Sequence, residues 1–299
     1  MRTTDWLLLV FLSILWGGAF FFIGVAVAEV PPLTLVLARV GIAALALTLL
    51  APLLGYQLPR TLAGWRVFAE QAIISNVIPF CLITFGQTRI ASGLAAVLNA
   101  TTPLFTLLVM RMLAKEPLTL HKMAGVLLGI VGVAVLMGPE VAGANLSSIL
   151  GMLAVLGAAL SYGLTAYGMR RLREIPPLVS SAAQLLCSTL FLLPLAAIVD
   201  RFWLLPLPGP AAIASILALA LVSTALAFIV FFRISATAGP SNVMLVTLLI
   251  PVTATALGAA FLDEALKVNE IVGALIIASA LVTIDGRLLG RAVAARATP

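Results

Sequence analysis

The chain reads as a succession of long apolar runs separated by short polar or proline-bearing segments. Apolar windows fall at residues 6–28, 32–54, 65–86, 91–113 and 121–138, then at 147–169, 177–199, 210–232, 240–262 and 269–288. A helix rising about 1.5 Å per residue needs roughly 20 residues to cross a hydrocarbon core about 30 Å thick. Each window therefore predicts a transmembrane helix, ten in all. The last is the shortest, being free of charge only from Ile271 to Ile284. Pro31-Pro32, Pro59, Pro117, Pro176-Pro177 and the group Pro206, Pro208, Pro210 mark the connections, where a missing backbone N–H is least damaging.

Composition agrees with this pattern and excludes a soluble domain of any size. Of 299 residues, 63% are hydrophobic and 9% charged, and the mean hydropathy is +1.21, so most of the chain belongs in a lipid bilayer. Cys81 and Cys187 both lie in apolar stretches, without the spacing of a metal site or a disulfide framework, and read as packing residues. The net charge of +6 comes from residues scattered through loops rather than from a contiguous basic patch, which argues against a nucleic-acid partner.

Membrane orientation accounts for those charges. With both termini cytoplasmic, the inside segments hold thirteen Lys and Arg residues: Arg2, Arg60, Arg66, Arg111, Lys115, Lys122, Arg170, Arg171, Arg173, Arg233, Arg287, Arg291 and Arg296. Arg89, Arg201 and Lys267 remain outside, and Arg39 falls within the second span. Met1-Arg2 and Ala26-Val27-Ala28 have the look of a secretory leader, but the run from Trp6 to Ala28 is too long for a leader core, and it has a counterpart in the second half.

That counterpart belongs to an internal repeat. A shift of 148 residues places Pro103 on Pro251, Glu116 on Glu264 and Gly125 on Gly273. A shift of 145 to 146 places Trp16-Gly17 on Tyr162-Gly163 and Pro31-Pro32 on Pro176-Pro177. Five spans per half is an odd number, so the second half must enter the membrane inverted. The expected fold is an all-α integral membrane protein of ten transmembrane helices, arranged as two inverted five-helix repeats around a central cavity. Residues 1–138 form the first repeat, 139–288 the second and 289–299 a cytoplasmic tail. Such repeats support alternating access to a site near the bilayer midplane.

Leu15-Trp16-Gly17-Gly18, Pro32 with Arg39, Ser92-Gly93-Leu94 leading to Thr102-Pro103-Leu104-Phe105, Glu116 with Glu264, and the glycine-rich fifth and tenth spans together resemble a known family. It is the drug/metabolite transporter superfamily in its two-repeat, ten-helix EamA form, and the resemblance runs from residue 6 to about 288. Within it the chain is similar to bacterial exporters of amino acids, the aromatic amino acid exporters first among them. The resemblance implies a bacterial-type inner (plasma) membrane and a basket in which spans 1 to 4 and 6 to 9 surround the cavity, with spans 5 and 10 peripheral. One departure stands out: Gln184, not an arginine, occupies the position equivalent to Arg39, so any charge-based site is asymmetric.

If spans 3, 4, 8 and 9 line the pathway, polar residues near their midpoints mark it, because a polar group facing hydrocarbon is costly. Asn76 corresponds to Thr224 and Asn99 to Thr247. They read as substrate-binding positions, or as interhelical hydrogen-bond partners worth about 0.6 kcal/mol each. Pro79, Pro103 and Pro251 would free the carbonyls of Ser75, Asn99 and Thr247. A freed carbonyl beside a cavity can accept a bond from a substrate ammonium, although a neighbouring helix or water can also satisfy it. Trp16, Phe80, Tyr162 and Phe228 pair across the repeats and offer faces for an apolar or aromatic group, or pack as membrane aromatics do. Arg39, about 10 Å inside the outer end of its span, can attract a carboxylate or snorkel to a helix end, with Gln184 as its neutral counterpart. Glu116 and Glu264 fall at the cytoplasmic and outer ends of equivalent helices, where caps and gate contacts are expected. The lone His121, in a basic loop, is given no role.

These readings converge on a secondary transporter that exports small metabolites, most of all aromatic or other neutral amino acids, by alternating access. Its partners are a small-molecule substrate and the bilayer, with no cofactor and no metal; the sequence leaves the oligomeric state open, a monomer included. An efflux carrier for other metabolites or drugs is the alternative. Lipophilic-cation efflux wants a buried carboxylate, which spans 1 and 4 lack, and phosphorylated substrates want several basic residues at depth, where Arg39 stands alone. A membrane-embedded lipid-modifying enzyme would need a nucleophile, base or metal cluster, and one histidine without an acidic pair does not supply it, so no catalytic residue is expected. Of the eleven acids only Glu70 falls inside a span, one turn from Arg66, so transport is expected to need no proton.

Overall fold

The computed structural model describes residues 3–59, 61–117, 119–143, 145–172, 174–238, 246–265 and 267–285. The tail at 289–299 lies outside the described residues, as do Arg2, Arg60, Arg173, Arg287, Arg291 and Arg296 of the orientation count. Among the described residues the chain is all helix, without a strand. Eight helices among these residues are long and apolar enough to cross a membrane: Thr3–Ala26, Pro32–Leu53, Gly64–Gln87, Ser92–Leu113, Leu120–Pro139, Leu146–Leu172, Pro177–Val199 and Pro210–Ile234. Two shorter apolar helices, Leu249–Phe261 and Val268–Ile284, lie where the ninth and tenth spans are expected. Both expected windows run on into residues outside the description, 240–245 and 286–288.

Helix starts follow the local chemistry. Proline opens Pro32–Leu53 (α2), Pro177–Val199 (α9) and Pro210–Ala220 (α10), where its fixed φ suits the first turn and its missing N–H has no helical partner to lose. Side-chain caps open two more. Thr61 accepts from Gly64 N–H at 3.3 Å at the start of Leu62–Ala72 (α3), and Asn145 accepts from Ser148 N–H at 3.3 Å before Leu146–Gly168 (α8).

Among the described residues three spans are interrupted. The third is α3, a π-helical turn at Ile73–Val77, and Ile78–Gln87 (α4). The fourth breaks at Ala100 and Thr101 into Ser92–Asn99 (α5) and Thr102–Leu113 (α6), with Pro103 in the first turn of α6. The eighth is α10, a second π-helical turn at Leu221–Leu226, and Ala227–Ala238 (α11). The remaining helices are Thr3–Ala26 (α1), Leu120–Ala142 (α7), Val246–Phe261 (α12) and Val268–Asp285 (α13).

In lipid the hydrophobic effect does not draw helices together, so association depends on close packing between small residues. α2 packs along α9, α7 along α13, α1 along α12 and α10, and α8 along α4 and α6. Glycine sets two of these approaches. A β-carbon at Gly17 of α1 would lie 2.8 Å from Thr253 Cβ and 3.0 Å from the backbone N of Ala254 on α12. One at Gly163 of α8 would lie 3.0 Å from the backbone of Phe105 and of Thr106 on α6. The two glycines, and the residues they face, are equivalent positions in the two halves of the sequence.

α6 and α12 also end alike. Lys115 and Asp263 both adopt φ of 54°, and the next residue in each case bonds back six positions: Glu116 N–H to Met110 O and Glu264 N–H to Gly258 O, both at 3.2 Å. This left-handed cap satisfies end carbonyls and turns each glutamate out of its helix.

Candidate functional site

The site is built on the two π-helical turns, 73–77 and 221–226, which start at the same position under the 148-residue shift, the second running one residue longer. A π turn fits an extra residue into the helix, shifts the direction of its side chains and disturbs the ordinary carbonyl ladder. In the first, Ile78 N–H reaches back five residues to Ile73 O. In the second, the Thr224 hydroxyl donates to Leu219 O at 2.8 Å, also five residues back. Sequence reasoning missed both turns. The signal that points to them is the pair of polar dipeptides Ser75-Asn76 and Ser223-Thr224 in otherwise apolar runs.

Arg39 of α2 reaches the second turn. It is 7% exposed, its Nε donates to Thr224 Oγ1 at 3.0 Å, and its guanidinium carbon lies 3.7 Å from the centroid of the Phe80 ring. The ring face carries partial negative charge and offsets part of the cation's desolvation. Tyr162 and Phe228 pack against the same cluster as Phe80, and Phe228 stacks on Phe232 at 6.1 Å.

The first turn meets α9 instead. Ser75 donates to Gln184 Oε1 at 2.7 Å, Gln184 Nε2 donates to Ser180 Oγ at 2.8 Å, and Asn76 Nδ2 donates to Ser188 Oγ at 3.2 Å. Arg39 and Gln184, equivalent in the repeat, thus each touch the π turn of the opposite half.

The structure therefore brings together Arg39, Phe80, Thr224, Tyr162 and Phe228, with Asn76 and Gln184 joined at the other π turn. Other expected positions make different contacts. Trp16 packs on Phe231 with centroids 5.4 Å apart. Asn99 closes α5, and its Oδ1 is buried without a hydrogen-bond partner among the described residues. The Asn99 carbonyl, expected to be freed by Pro103, instead accepts from Thr102 Oγ1 at 2.7 Å. Pro79 lies in the first turn of α4, just beyond the first π turn. Thr247 and Pro251 lie on α12.

The two ends of the bundle differ. At one, the Glu264 carboxylate accepts from the backbone N–H of Ser92 at 2.8 Å and of Gly93 at 3.2 Å, the first residues of α5. Gln87 Nε2 there donates to Phe20 O at 2.8 Å and Ser92 Oγ at 3.0 Å, so α1, α4, α5 and the end of α12 are tied together. At the other, Glu116 pairs with Arg170 at 2.8 Å, both about half exposed, and Glu70 sits between Arg66 and Arg171 at 3.0 and 3.2 Å. A recess of about 500 Å³ opens among Tyr56, Gln57, Phe68, Pro176 and Val179.

The profile of the EamA-like transporter family matches residues 4–138 and again 149–284. Among similar proteins are "Uncharacterized transporter YvbV" of Bacillus subtilis (strain 168), 27% identical over 98% of this chain and 95% of its own. "Probable terminal-alkyne amino-acid exporter" of Streptantibioticus cattleyicolor is 27% identical over 95% of this chain and 94% of its own. "Uncharacterized inner membrane transporter YedA" of Escherichia coli (strain K12) is 28% identical over 91% of this chain and 88% of its own. A crystal structure of a protein 20% identical aligns with a TM-score of 0.67 over 98% of this chain and 99% of its own. At that identity the shared property is the fold.

Proposed function

We propose that this chain, which belongs to the EamA-like transporter family, is a secondary carrier exporting small metabolites, amino acids first among them, by alternating access. The observation that carries the reading is a cluster of Arg39, Thr224 and Phe80 buried within a membrane bundle, with the partly buried Tyr162 packed against it. Charge at such depth marks function rather than packing. Amino acids are favoured because a zwitterion with an apolar side chain suits a cation flanked by aromatic faces, and because one relative bears the name of an amino-acid exporter.

Alternating access needs two ends that open in turn, and the reading includes ten spans in two inverted repeats, residues 1–138 and 139–288, with both termini cytoplasmic. The exchange of partners supports it: α1 lies on α12 through Gly17 as α8 lies on α6 through Gly163, each first helix of a half against the fourth of the other. Single cysteines placed beside Glu116 and Glu264, in a background lacking Cys81 and Cys187, should react with a membrane-impermeant maleimide from opposite faces. Labelling of both from one face overturns the inversion.

Function is tested with the purified full chain in liposomes, by efflux of labelled L-phenylalanine, L-tryptophan and L-leucine against protein-free vesicles. Flux of at least one, saturable and inhibited by the unlabelled compound, is expected. Leakage equal to that of protein-free vesicles for all three sets amino-acid export aside.

A further inference from the structure

The geometry points to Arg39 as the anchor of a carboxylate on the carried molecule, fixed in place by Thr224 and Phe80. This rests on the transport reading above and narrows its substrate class to molecules with an anionic group.

A guanidinium has five N–H donors. Arg39 is 7% exposed, and among the described residues its hydrogen bond from Nε to Thr224 is the one it makes. No carboxylate among those residues pairs with it. A buried cation with one neutral partner and one ring face keeps most of its desolvation penalty. The Nη amino groups form the planar fork that matches a carboxylate with two parallel bonds.

Thr224 and Phe80 hold that fork still. The threonine hydroxyl is itself fixed, donating to Leu219 O while accepting from Arg39 Nε. The Phe80 ring lies 3.7 Å from the guanidinium carbon, so one face of the fork is covered, while its Nη groups make no hydrogen bond among the described residues.

Gln184 supplies the contrast. It occupies the equivalent position of the other half, yet its Oε1 accepts from Ser75 and its Nε2 donates to Ser180. With both ends of the amide satisfied within the protein, it is structural. The two positions have therefore diverged into a satisfied amide and an unsatisfied cation, which makes one anion site per carrier.

The test uses the full chain in liposomes preloaded with unlabelled L-phenylalanine and supplied with labelled L-phenylalanine outside, with three competitors. 3-Phenylpropionate keeps the carboxylate and lacks the amine; phenethylamine and L-phenylalaninamide lack the carboxylate. 3-Phenylpropionate should compete, and the other two should be weaker by about tenfold or more, as the loss of a charge-assisted bond requires. Arg39→Gln should abolish that preference. Arg39→Lys, which keeps charge without the fork, should restore part of it. Thr224→Val, which leaves the charge untouched, should weaken 3-phenylpropionate several-fold relative to the amine and guards against a misfolded Arg39→Gln.

Exchange that phenethylamine inhibits as well as 3-phenylpropionate does, or an Arg39→Gln protein that keeps the preference, overturns the anchor and leaves amino-acid export standing. If no phenylalanine moves, thermal unfolding of the detergent-solubilised protein decides. Stabilisation by 3-phenylpropionate over phenethylamine, lost in Arg39→Gln, supports the anchor although the amino-acid reading falls; equal stabilisation by both overturns it.

Discussion

The carboxylate of Glu264 stands 2.8 Å from the backbone N–H of Ser92, across 172 residues of sequence, and so ties the end of α12 to the start of α5. A second oxygen takes Gly93 N–H at 3.2 Å. An acid at a helix N-terminus satisfies donors that the helix itself cannot, and it meets the positive end of the helix dipole. Glu116, its equivalent in the first half, holds instead a half-exposed ion pair with Arg170.

Glu264→Ala should therefore destabilise the protein by about 1 to 2 kcal/mol, the range of a lost helix cap. Glu264→Gln, which retains an acceptor, should lose less. Glu116→Ala should change stability by less than about 1 kcal/mol, since exposed ion pairs contribute little. Thermal melts of the three variants in one detergent test the order, and a Glu116→Ala variant less stable than Glu264→Ala would reverse the assignment.

Close helix approach gives a second prediction. At Gly17 and Gly163 an added methyl meets the neighbouring helix within 3.0 Å, whereas at Gly18, one residue along from Gly17, the nearest atom is a Phe22 ring carbon at 3.5 Å. Gly17→Ala and Gly163→Ala should each cost about 1 to 3 kcal/mol by overpacking. Gly18→Ala should be neutral or stabilising, because alanine favours the helix by up to about 1 kcal/mol. Fluorescence-detected size-exclusion melts separate the cases, and equal effects at Gly17 and Gly18 would refute the packing account.

The sequence shows where helices run because lipid imposes a simple rule: charged residues, Arg39 and Glu70 excepted, fall at the ends of apolar runs. Expected spans such as 32–54 and 177–199 lie within a residue of Pro32–Leu53 and Pro177–Val199. Repeat pairing likewise identified Asn76 with Thr224, both of which sit in π turns. The turns themselves left only the polar dipeptides at 75–76 and 223–224 as a trace, since one extra residue per turn changes no hydrophobic pattern. Partner choice was hidden too, because contacts such as Arg39 with Thr224 join residues 185 apart. Equivalent positions also need not touch: Trp16 and Tyr162 correspond across the halves, yet Trp16 lies on Phe231.

Asn76 and Asn99 looked alike in sequence and differ in structure. Asn76 spends its amide N–H on Ser188, whereas Asn99 Oδ1 is buried without a partner among the described residues. Asn99→Ala should therefore lower flux more than it lowers stability, with a loss of about 1 to 3 kcal/mol if a substrate donor is left unpaired. Asn76→Ala should do the opposite, leaving the Ser188 hydroxyl short of a donor. Paired melting and flux measurements at matched protein levels decide this, and wild-type flux in Asn99→Ala would remove it from the pathway.

The last prediction concerns energy. Concentrative transport by protons needs a titratable group that is reached alternately from the two sides of the membrane. Glu70, the one acid expected within a span, is 47% exposed at its side chain and paired with both Arg66 and Arg171, so it is engaged at a bundle end rather than at the π turns. Glu270, buried at 8% exposure, accepts from Lys267 N–H at 2.9 Å and caps α13. Asp5 is the acid whose position in the sequence concealed its surroundings. It falls in the first turn of α1, yet it is only 3% exposed, and Thr237 donates to its Oδ1 at 3.0 Å. That contact joins α1 to α11 at a bundle end, away from the two π turns. If Arg39 anchors the substrate as proposed above, a substrate carboxylate balances its charge without a proton. Liposomes carrying only a pH gradient should therefore equilibrate labelled L-phenylalanine without accumulating it, and unlabelled substrate on the far side should accelerate exchange. Accumulation that collapses with a protonophore would overturn this, and Asp5→Asn followed by Glu70→Gln would then locate the coupling group.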